Sequence, residues 1–146
     1  PFHSVPGSTV YYTLGFDRFV LDQERIEAGW QRLFGALDAM HQLLKEQQIP
    51  FLVMILPSSY IFQNGGDQKQ FASRLLEKAV SRAEEKRLPY LALTETLEQG
   101  GGERLFMDFV HLTEEGNRVV GEALSEHLTR MLGLQSPGDS TENGPL

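Results

Sequence analysis

The chain has 146 residues, of which 40% are hydrophobic and 23% charged, and its 13 basic against 20 acidic side chains give a net charge of −7. That length and apolar content suit one domain of ordinary size with a buried core, and exclude disorder over most of the chain. Scattered Lys and Arg on an acidic chain argue against nucleic acid as a main partner, and the lack of cysteine excludes a disulfide scaffold, a thiolate nucleophile and any thiolate metal site.

Residues 1–21 read as a leader. Pro6, Gly7 and Gly15 break it up, and the β-prone cluster Thr9 to Thr13 suggests one short strand. From Asp22 the pattern changes. Ile26, Trp30, Leu33, Phe34, Leu37, Met40, Leu43 and Leu44 recur at helical spacing, which predicts a long amphipathic helix capped by Asp22 and ending before Pro50. Phe51 to Leu56 is an unbroken apolar run closed by Pro57-Ser58-Ser59, as expected of a strand buried on both faces. After Asn64-Gly65-Gly66, the residues Phe71, Leu75, Leu76, Ala79, Val80 and Ala83 predict a second helix running out near Arg87. Leu88 to Leu93 reads as a second strand, and a loop of three glycines, Gly100 to Gly102, then leads to Leu105-Phe106-Met107. A last helix would turn Val119, Val120, Ala123, Leu124, Leu128 and Met131 inward.

Helices alternating with apolar strands predict an α/β fold with helices on the faces of a parallel sheet, spanning residues 22–134. Residues 135–146, rich in Pro, Gly, Ser and Thr, read as a disordered tail. Two or three strands are few for three long helices. The chain therefore reads as the second half of a doubly wound domain, or as a domain that leaves a sheet edge to a partner. The longest apolar run, Ile49 to Leu56, is interrupted by Pro50 and falls far short of the roughly 20 residues of a membrane helix. The first residues lack a signal-peptide pattern, and the compartment stays open.

The stretch most informative about chemistry is Asp108-Phe109-Val110-His111-Leu112-Thr113-Glu114-Glu115-Gly116. It sets an acid three residues before a histidine, in a loop just ahead of a helix that Thr113 can cap. A carboxylate so placed can accept from one imidazole nitrogen and leave the other free to act as a general base.

This block resembles the last motif of the SGNH, or GDSL, hydrolases, D-x-x-H-L-T-x-x-G followed by a helix, and the elements from Glu24 to Leu132 are similar to that family's second half. The resemblance implies a three-layer α/β/α, flavodoxin-like parallel sheet and a serine ester hydrolase, an esterase or O-acetyl-ester-handling enzyme. Its substrate would be a small-molecule or carbohydrate ester, and no dissociable cofactor is implied. By the same resemblance His111 is the base and Asp108 orients it.

The family's nucleophile lies in a G-D-S motif after the first strand, and no strand followed by G-D-S stands upstream of Asp22. Gly138-Asp139-Ser140 spells the triplet but follows Pro137 in the polar tail, after the histidine. Ser58 and Ser59 end an apolar strand, where α/β sites gather, although serines in a strand-ending turn are the blander account. Ser4 and Ser8 sit in the leader. His41 is expected on the polar side or edge of the first helix and His127 on the last, both solvated; Trp30 is expected as a core anchor. No H-x-H or H-E-x-x-H spacing supports a metal site. The competing account of the whole chain is a non-catalytic α/β interaction module of the same fold, binding a partner through its sheet edge.

Overall fold

The computed structural model describes residues 8–11 and 19–134, and the chain forms two compact units, Pro1–Phe51 and Leu52–Leu146. The leader carries two strands where the sequence suggests one. β1 (Ser8–Tyr11) and β2 (Phe19–Asp22) pair antiparallel, with Ser8 opposite Asp22 and Tyr11 opposite Phe19. The 24-residue helix α1 (Gln23–Glu46) follows directly. Phe34 is its buried residue, and Trp30 lies half-buried against it, the ring centroids 5.8 Å apart. Leu33, Met40 and Leu43 on the same helix are exposed.

α1 stops where Gln48 takes a left-handed conformation (φ 57°) and the Ile49 N–H donates back to the Leu44 carbonyl at 2.9 Å, a Schellman closure placed just before Pro50. His41 departs from its expected solvated position. It is half-buried, its ring stacks on Phe51 at 5.5 Å and 18°, and its Nδ1 is buried without a hydrogen-bond partner. The cause is the aromatic just after the helix, which covers a position that helical spacing alone leaves at the edge.

In the second unit β3 (Val53–Ile55) and β4 (Tyr90–Ala92) form a two-stranded parallel sheet, Val53 opposite Tyr90 and Ile55 opposite Ala92. Between them runs α2 (Asp67–Glu85), which packs on β3. It ends as α1 does, with Arg87 left-handed (φ 53°) and the Leu88 N–H on the Ala83 carbonyl at 2.9 Å. The order strand, helix, parallel strand agrees with the sequence pattern. The strand at Phe51–Leu56, however, is shorter than its apolar run and is not buried on both faces: Ile55 is buried, while Met54 and Leu56 are exposed. β4 is its one ladder partner among the described residues.

Leu105–Met107 forms no strand. Beyond β4 the chain makes a short helix, α3 (Thr94–Gly100), and then a 3-10 turn at Gly102–Leu105. Phe106 contributes only a single antiparallel bridge to Leu112. Leu105 and Phe106 are buried off the sheet, while Met107 is exposed. Leu93, Leu97, Leu105, Phe106 and Val120 form the buried cluster of this unit, with Phe62, Leu91, Leu112, Val119 and Ala123 at its margin.

α4 (Glu114–Met131) closes the unit, with Val120 of its expected inner face buried, Val119, Ala123, Leu124 and Leu128 half-buried, and Met131 exposed. Among the described residues no helix is long and apolar enough to cross a membrane. Ser4, the tail and its Ser140 lie outside the described residues, as do all leader residues except the two strands.

Candidate functional site

The segment from Leu105 to Thr113 leaves the core and returns to it, and its closure is local. Phe106 and Leu112 face each other across the bridge, the Met107 N–H donates to the His111 carbonyl at 2.7 Å, and the Thr113 N–H donates to the Leu105 carbonyl at 2.8 Å. The loop between carries Asp108, Phe109 and Val110. One carboxylate oxygen of Asp108, Oδ1, accepts from the backbone N–H of Val110 at 2.9 Å and of His111 at 2.8 Å, which is the turn an aspartate makes with the backbone two and three residues ahead.

The other oxygen, Oδ2, lies 2.7 Å from Nδ1 of His111. The structure thus brings together the two residues the sequence paired. With Oδ2 accepting, Nδ1 carries the proton and Nε2 is left as the basic nitrogen. The pair is open to solvent, the His111 side chain 70% and the Asp108 side chain 46% exposed.

The hydrogen bond from His111, reinforced by the backbone donors of His111 and Val110, lowers the Asp108 carboxyl from the ordinary 3.8 to about 2. An acid so held stays ionised across the working range of most enzymes. It can therefore hold the imidazole and offset the charge on an imidazolium without taking the proton itself.

Two features anchor the loop. The Thr113 hydroxyl accepts from the Gly116 N–H at 3.0 Å, capping α4 as its place in the sequence suggests. Gly116 is required by proximity: a Cβ there would run into the Leu105 carbonyl oxygen. On the far side, the Ser59 N–H donates to the Phe109 carbonyl at 3.0 Å, and the Tyr60 ring stacks on Phe109 at 6.0 Å and 19°. The turn after β3 is in this way tied to the loop that carries the pair.

Sequence reasoning misses the Tyr60 and Phe109 contact, since nothing in either residue's spacing marks it. Ser58 and Ser59 therefore sit on a segment that touches the loop. Ser59 is buried and Ser58 half-buried at the start of the 3-10 turn Ser59–Phe62, but neither hydroxyl hydrogen-bonds His111. His41 belongs to the other unit, and His127 is half-buried on α4. Among the described residues no three His, Asp or Glu side chains gather as a ligand set for a metal ion. No protein family model, no curated protein and no solved structure matches this chain.

Proposed function

We propose that Asp108 and His111 are the orienter and general base of an SGNH-type serine ester hydrolase, and that residues 22–134 correspond to the second half of its flavodoxin-like sandwich. The observation that carries this reading is the 2.7 Å contact between Asp108 Oδ2 and His111 Nδ1, in a loop that leaves the His111 side chain 70% exposed. A serine outside residues 1–146 would attack the acyl carbonyl. His111 Nε2 takes the hydroxyl proton as the C–O bond forms, then returns it to the departing alcohol; water repeats the cycle on the acyl-enzyme. The parallel sheet and the helix-capping Thr113 support the fold half of the proposal, and the D-x-x-H-L-T-x-x-G block supports the chemistry.

This chain alone is expected to be silent. A base without an activated nucleophile and without donors for the oxyanion lacks the two largest contributions to lowering an acyl-transfer barrier. Incubation with a serine-reactive fluorophosphonate should give no labelling above that of His111→Ala. Stoichiometric labelling at Ser58 or Ser59 would overturn the half-domain reading, since the strand-end turn would then hold the nucleophile.

A second reading has its own observation. Met54 is exposed on β3, whose one ladder partner among the described residues is β4, so the strand offers a sheet edge suited to accept a strand from elsewhere. That edge is what a non-catalytic interaction module would use. A G-D-S motif after an apolar strand upstream of Pro1 decides for the hydrolase; its absence from the parent protein decides for the module.

A further inference from the structure

We infer that Thr113 is a positioning residue for the Asp108 and His111 pair, its hydroxyl linking the core, the start of α4 and the base of the loop. The hydroxyl is used in both directions. It accepts from Gly116 N–H at 3.0 Å and donates to the Leu105 carbonyl at 3.2 Å, the same oxygen that receives the Thr113 N–H at 2.8 Å. An ordinary cap needs only the first of these bonds. The second ties the cap to Leu105, which is buried in the cluster with Leu93, Leu97 and Val120.

The pair has particular need of such a link. Both side chains are exposed, so no packed wall holds either in place. The carboxylate is instead fixed to the loop backbone through Oδ1, and the imidazole hangs from the chain two residues before Thr113. Their separation is therefore set by how the loop is closed at its base. Closure rests on Met107 N–H to the His111 carbonyl and on the two bonds from Thr113 to the Leu105 carbonyl. Removing the hydroxyl leaves the cap and the closure each one bond short, and loosens the end of the loop from which His111 is suspended. The catalytic meaning of this role rests on the proposed ester chemistry; its geometric content does not.

The test uses the 146-residue chain and follows the Asp108 carboxyl by 13C NMR as pH is lowered, a reading that depends on the pair and not on helix content. Wild type and Thr113→Ser, which keeps the hydroxyl, are expected to titrate at about 2, and Thr113→Val to move toward the ordinary 3.8. A Thr113→Val chain that melts earlier yet still titrates at about 2 would show a cap and nothing more, and would overturn the inference. If Thr113→Val does not fold, Thr113→Gly keeps a favoured cap residue with neither the hydroxyl nor any other side-chain donor. A raised midpoint there supports the role, and an unmoved one refutes it. In a parent protein that contains the nucleophile, Thr113→Val should lower kcat by about 10- to 100-fold at unchanged KM. A raised midpoint together with ester turnover indifferent to His111→Ala would leave the positioning role standing and remove the hydrolase reading alone.

Discussion

Two amphipathic helices, α1 and α4, carry apolar residues at the same spacing, yet in their own units they are covered very differently. α4 presses Val120, with Val119 and Ala123 beside it, onto a cluster that includes the fully buried Leu93 and Leu97. α1 buries Phe34 but leaves Leu33, Met40 and Leu43 51%, 50% and 56% exposed. Periodicity marks which face of a helix is apolar; what covers that face is decided by the elements around it. α3, the 3-10 turn Gly102–Leu105 and the bridge at Phe106 supply that cover for α4, and the same packing fixes the base of the loop holding Asp108 and His111. The site thus stands on the better-packed region of the molecule, although its own side chains are in water.

The sharpest way to break this comparison is to remove one side chain from each region. Leu97→Ala deletes a side chain with no exposed surface from the cluster under the loop, and should cost about 2–5 kcal/mol in urea unfolding. Leu43→Ala should stay within about 0.5 kcal/mol of wild type. Comparable losses would mean that the α1 stripe is covered in solution, and the contrast between the helices would fall.

A smaller effect sharpens the electrostatic side. Asp108 has a lowered folded pKa, so the stability it contributes is fully present above the ordinary value of 3.8 and is lost as pH falls through about 2. Asp108→Asn should flatten that part of the acid limb in a melting series, since Asn does not titrate. An acid limb identical to wild type would mean that the carboxylate is not held by His111 and the loop backbone in solution.

Much of the site and of the helical framework is legible in the amino-acid sequence, for reasons visible in individual residues. The Asp108 and His111 contact is local, three positions along one loop, and Thr113 followed by Glu114 and Glu115 marks a helix start. α2 and α4 announce themselves by long runs of apolar spacing. α3 does not, because seven residues from Thr94 hold a single core leucine, Leu97, and too few turns to show a period. Leu105-Phe106-Met107 is apolar yet forms no strand, since apolarity does not say whether a segment joins a sheet or packs on helices. β2 is hidden because it runs straight into α1. His41 is hard to place from spacing because its cover, Phe51, comes from beyond the helix that carries it.

The central claim is that His111 acts as the base and that the other histidines do not. Its direct test is ester turnover by the parent protein carrying His111→Ala, His41→Ala or His127→Ala, each checked for folding. The account predicts a fall of about 10²-fold or more for His111→Ala and little change for the other two. Equal losses at all three positions, or full turnover without His111, would contradict it.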